Sequence, residues 1–82
     1  MNNYIQQGKG KIVRIRFASL GHILDLEGIC QRLFLVLRVP ISAINDGIEF
    51  DWSQQVYASD ETVNIKLNEI LSKNPDAEIS FR

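Results

Sequence analysis

The sequence predicts an α+β domain, a sheet of four to five strands with two helices packed on one of its faces, and three observations predict it. Apolar residues alternate with polar ones over residues 11–17, 48–52 and 77–82, which is the period of a half-buried strand. Apolar residues recur at three- and four-residue spacing over 26–37 and 63–71, which is the period of a helix. Turn-forming clusters separate these stretches, and 82 residues leave room for one core only. An apolar fraction of 45% with 23% charged argues against a disordered chain.

Residues 1–10 read as a flexible basic N-terminal arm, polar as far as Gln7 and then Gly8-Lys9-Gly10, and residues 11–82 as the single domain. In the first strand Val13, Ile15 and Phe17 point one way, and Ile12, Arg14 and Arg16 the other. Residues 19–24 read either as the return strand of a hairpin or as a first helical turn. Asp25 is placed to cap a helix, its carboxylate accepting the free amide hydrogens of the first turn. Leu26, Ile29, Cys30, Leu33, Phe34 and Leu37 then form one helical face. Leu35 and Val36 fall outside that stripe, so this helix is either deeply buried or meets a partner; residues 33–39 also admit a strand. Pro40 stops the helix, and Val39 before it is pushed toward extended geometry.

Asn45-Asp46-Gly47 is a turn signal, because these residues tolerate positive φ. Ile48, Phe50 and Trp52 alternate with Glu49 and Asp51 as a second strand. Ser53-Gln54-Gln55 turns the chain, and Val56-Tyr57 reads as a short edge strand. Ser59 caps a second helix, with Asp60 and Glu61 in its first turn where the helix dipole favours acids. Val63, Leu67, Ile70 and Leu71 form its buried face, and Glu69 and Lys73 a favourable i,i+4 pair. Asn74-Pro75 ends it, and Ala77, Ile79 and Phe81 alternate with Glu78, Ser80 and Arg82 in a last strand. With a strand at 20–24 the order is that of a β-grasp; with a helix there it is the split βαβ order of ferredoxin-like folds. Either way, the first and last strands are expected side by side in the sheet centre.

The order and several short stretches resemble the Phox/Bem interaction domain, a ubiquitin-like β-grasp module. Residues 11–17, Lys-Ile-Val-Arg-Ile-Arg-Phe, resemble its first strand, with Arg16 nearest the lysine that the basic subtype carries. Asp25-Leu26-Glu27-Gly28-Ile29-Cys30 resembles the start of its first helix, residues 48–52 its third strand and Ser59 onward its second helix. The family's acidic motif follows the third strand, where this chain has Ser53-Gln54-Gln55, so the resemblance implies a member that binds through its basic face. It implies a protein-interaction scaffold.

Little in the composition supports catalysis. There is one histidine, His22, and one cysteine, Cys30, too few for a zinc site and not placed as a nucleophile and base. Gly8-Lys9-Gly10-Lys11 lacks the spacing of a phosphate loop. No catalytic residue, metal, cofactor or small-molecule substrate is expected. A lone cysteine excludes an internal disulfide framework and suits a reducing cytosol. The first seven residues lack the layout of a signal peptide, and the longest apolar run, Leu33 to Leu37, is far too short to span a bilayer. A cytoplasmic protein that does not enter membranes is expected.

Charge carries the functional expectation. Residues 1–41 hold six basic and two acidic side chains, a net +4, and residues 42–82 three basic and eight acidic, a net −5. Such asymmetry lets one copy of a protein guide another, giving a homo-oligomer, or a different protein partner. The expected function is therefore a small non-catalytic protein-interaction and assembly module with complementary faces. Its candidate partner-binding residues are Lys9, Lys11, Arg14 and Arg16 on the basic side and Glu49, Asp51, Asp60 and Glu61 on the acidic side. A competing expectation pairs Arg14 and Arg16 with Glu78 on the neighbouring last strand, at about 0.2–1 kcal/mol a pair. The alternative function is nucleic-acid binding by the arm and the basic stripe. Against it, Phe17, Phe50, Trp52 and Phe81 fall on core faces, leaving no aromatic platform to stack bases.

Overall fold

Caps and strand pairing set the element boundaries in the computed structural model, which describes residues 10–18 and 25–82. The elements are β1 (Ile12–Phe17), α1 (Leu26–Leu37), β2 (Ser42–Ile44), β3 (Gly47–Asp51), a 3-10 turn (Trp52–Gln54), α2 (Asp60–Lys73) and β4 (Ala77–Phe81). The strands form one antiparallel sheet in the order β2-β3-β1-β4. Among the described residues the order is β-α-β-β-α-β, that of a split βαβ fold. Residues 1–9 of the expected arm at 1–10, Lys9 among them, and the hairpin-or-helix segment at 19–24, His22 included, lie outside the described residues.

The expected α+β architecture is observed. Val13, Ile15 and Phe17 of β1 and Ile48 and Phe50 of β3 are buried against Ile29, Leu33 and Leu37 of α1 and Val63 and Leu67 of α2. Both helices therefore cover one face of the sheet. Ala77, Ile79 and Phe81 of β4 pack on the same core, as their alternation predicts. Asp25 caps α1, its carboxylate accepting the Gly28 N–H at 2.8 Å. Ser59 caps α2 by accepting the Thr62 N–H at 3.1 Å.

Several local readings differ from what is observed. β4 pairs with β1 but lies at the sheet edge, because β3 occupies β1's other side. Ser42–Ile44, which carry no periodic signal, form the opposite edge strand by pairing with β3. Val56-Tyr57 is no strand and pairs with nothing in the sheet. Asn45 and Asp46 make the two-residue turn between β2 and β3 without positive φ. Gly47 is needed for another reason: a Cβ there would collide with the Ile15 carbonyl and the Arg16 Cα of the central strand. Glu69 is bonded by Lys66, one turn back, at 3.3 Å. Asn64, four residues from Asn68 and level with the α2 core stripe, is buried with its Oδ1 unpartnered.

α1 ends at Leu37, as the apolar stripe and Pro40 predict, but its cap is not the one a sequence signals. The helix closes before Pro40, with Arg38 as C-cap in the left-handed conformation (φ 59°, ψ 33°) and its N–H bonded to the Phe34 carbonyl at 2.8 Å. Glycine is the residue that takes this position without a Cβ penalty. Arginine there costs roughly 1 kcal/mol or more.

Candidate functional site

The face of the sheet away from the helices carries Arg14 and Arg16 of the expected basic residues. Residues opposite one another on neighbouring strands share a face, which places Glu49, Arg14 and Ser80 in one row and Gly47, Arg16 and Glu78 in the next. Arg14 donates through Nε and a terminal nitrogen to Glu49 Oε1, both at 3.1 Å, and Arg82 approaches the same oxygen at 3.6 Å. Arg16 Nε donates to Asp46 Oδ2 at 2.7 Å. That bond, then the Asp46 charge, holds the Arg16 pKa above its ordinary value, with Glu78 adding a smaller push. Glu78 is therefore a neighbour of Arg16, while the bonded partners are Glu49 and Asp46.

This face brings Arg14 and Glu49 together rather than setting them at opposite poles. With Arg82, Asp51 and Glu78 it is a ladder of both signs, each arginine facing a carboxylate across a strand. No aromatic side chain lies among its described residues. Asp51 serves its own turn: it accepts the Ser53 hydroxyl at 2.6 Å, the Ser53 N–H at 2.9 Å and the Gln54 amide at 3.3 Å. The hydroxyl first, and then the N–H, hold its carboxyl below the usual range. Asp60 accepts the N–H of buried Trp52 at 3.1 Å. Lys11 and Glu61 are exposed.

A second surface was not read as a site from the sequence. Between β3 and α2 the chain makes a loop pinned in two places. At its feet Trp52 Nε1 bonds Asp60. Across its tip the buried Gln55 side chain donates to the Ala58 carbonyl and accepts the Ala58 N–H, as a neighbouring strand would. The residues between are thrust outward: Val56 is 91% exposed and Tyr57 69%. The Arg38 guanidinium lies over the Tyr57 ring, 5.2 Å from its centroid, and joins the loop to α1. One turn before Arg38, Phe34 is 45% exposed and Leu35 62%.

Phe34, expected on the core face, belongs with Leu35 to a second stripe on α1, Glu27, Cys30, Gln31, Phe34, Leu35 and Arg38, spaced by three and four residues; Glu27, Gln31, Phe34, Leu35 and Arg38 are exposed, and Cys30 at its border packs partly on the core. Beside it runs an open groove of ≈ 490 Å³ floored by Cys30, Phe34, Pro40 and Ile41. The sequence signal for this surface was the pair of apolar residues outside the core stripe, Leu35 and Val36. Leu35 is exposed and Val36 half-buried. Burial, and then the Glu27 charge, raise the Cys30 thiol pKa, the reverse of what an activated nucleophile needs. Another cleft of ≈ 400 Å³ between the helices mixes Arg32, Lys66 and Lys73 with Asp25 and Glu69. Among the described residues no group of three or more metal-ligating side chains gathers, and no helix is long and apolar enough to cross a membrane. Compared with known proteins, the chain matches no family model, no curated protein and no solved structure.

Proposed function

We propose that this chain is a small non-catalytic protein-interaction module whose contact surface is the outer stripe of α1 together with the loop at 55–59. The observation that carries the reading is the pinned loop. Gln55 and Asp60 hold it in one conformation, and that conformation puts Val56 and Tyr57 in water. Single exposed apolar residues are ordinary, but Arg38 lies over exposed Tyr57 and follows exposed Phe34 and Leu35 by one helical turn, and apolar groups gathered at one arginine are of the kind that marks interaction sites. Tyrosine and arginine are also the residue types enriched where binding energy concentrates. Arg14, Arg16 and Glu49 act in this reading by clasping the β2–β3 hairpin to β1.

The test places a photocrosslinking amino acid at position 35, 57 or 80 and irradiates whole cells. Positions 35 and 57 lie on the proposed surface, and position 80 on the charged sheet face. Protein adducts at 35 and 57 with none at 80 are expected. Adducts confined to 80, adducts to nucleic acid, or none at any position overturn the reading.

A further inference from the structure

We propose that the partner is a second copy of this chain, bound through α1 packed antiparallel against the α1 of the other copy about a two-fold axis. The proposal rests on the interaction reading above and deepens it. The outer stripe carries its acid, Glu27, in the first turn and its base, Arg38, at the other end, with Cys30, Gln31, Phe34 and Leu35 between. Laid antiparallel on itself, such a stripe sets Glu27 against the partner's Arg38 at both ends. It sets Cys30 against the partner's Leu35 and Gln31 against the partner's Phe34 across the middle. A two-fold interface makes each of these contacts twice. A parallel pairing would instead bring like charges together.

Three features support this partner over an unrelated one. Among the described residues neither Glu27 nor the Arg38 guanidinium has an ion pair. Arg38 caps the helix in a left-handed conformation (φ 59°), which sets its side chain at the C-terminal end of the stripe. Its guanidinium lies over the Tyr57 ring, 5.2 Å from its centroid, a contact with the ring that leaves its N–H donors able to meet a carboxylate. Antiparallel helices also bring the positive end of one dipole beside the negative end of the other.

Light scattering after size exclusion over a wide concentration range tests the pairing. Mass is expected to rise from the 9.4 kDa of one chain towards twice that value. Glu27→Arg and Arg38→Glu are each expected to weaken association by about tenfold or more, since each puts like charges at both ends. An equimolar mixture of the two variants recovers wild-type association, because the mixed pair has opposite charges at both ends. A mass that never rises, charge variants that associate as the wild type does, or a mixture without recovery overturns the proposal.

Circular dichroism confirms that the variants fold, both positions being exposed. A second route alters neither charge. In Leu35→Cys, mild oxidation should link position 35 to the partner's Cys30. Five residues apart on one helix, the two sulfurs cannot bridge within a chain, their Cα atoms standing beyond the reach of about 7 Å. A link from 35 to 35, or none, refutes the register. Should the purified chain stay monomeric while position 35 crosslinks a different protein in cells, the self-pairing falls and the interaction reading stands.

Discussion

Asp60→Ala should destabilise the fold chiefly by stranding the indole N–H of Trp52. Trp52 is 2% exposed, and its Nε1 donates to Asp60 Oδ1 at 3.1 Å. Leaving a buried donor without an acceptor costs about 1–3 kcal/mol. Asp60 is also the first residue of α2, and losing its charge from the positive end of the dipole adds about 0.3–1 kcal/mol. The sum, roughly 1.5–4 kcal/mol, is a large share of the roughly 4–12 kcal/mol expected of a domain this size. Urea unfolding followed by far-ultraviolet circular dichroism reads it, since Trp52 is the one tryptophan of the chain and is replaced in one of the backgrounds compared. With a slope near 1–1.5 kcal/mol/M, the midpoint should fall by about 1–4 M. Asp60→Asn keeps an acceptor and should lose well under half as much. In a Trp52→Phe background the effect of Asp60→Ala should shrink by about 1–2 kcal/mol, which separates this bond from anything else the carboxylate does. Equal effects of alanine in both backgrounds would refute the reasoning and return Asp60 to the list of partner-binding candidates.

Gly47→Ala should cost about 1–3 kcal/mol or more, because its Cβ meets backbone of the central strand and β3 must move away from β1. Chemical unfolding reads this, and a change within about 0.5 kcal/mol would contradict it. Asp51 has a carboxyl pKa depressed below its unfolded value, so its contribution is present above about pH 4 and is lost as pH falls through the folded value. Wild type should therefore exceed Asp51→Asn in stability at neutral pH, and the gap should close as pH falls through the folded value; a gap independent of pH would remove that role.

How much of this was legible in the chain differs from element to element. β1, α1, α2 and β4 were readable because each has a sustained period and a cap or breaker. Asp25, Ser59 and Asn74 act within a few residues of their own position. β2 was not readable: three residues show no period, and Ser42–Ile44 are a strand only because β3 runs beside them. Val56-Tyr57 read as a strand because apolar residues suit strands. The Gln55 side chain instead satisfies the backbone of Ala58 and leaves the two apolar residues outside. Arg38 as a left-handed cap was equally invisible, since Gly or Asn is the signal for that position.

For the sites, the outward direction of Arg14, Arg16 and Glu49 follows from alternation alone, whereas their partners depend on strand order. β1 has a carboxylate-bearing strand on each side, Glu49 on β3 and Glu78 on β4. The sequence cannot rank them, because Glu49 is 35 residues from Arg14 and Asp46 is 30 from Arg16. Which residues face inward, and where helices start and stop, was settled by local backbone geometry and by the exclusion of water from apolar side chains. Which strands lie together, and so which charges neutralise one another and which apolar residues remain uncovered, was decided only by the packed sheet, since those contacts join segments that no local pattern links.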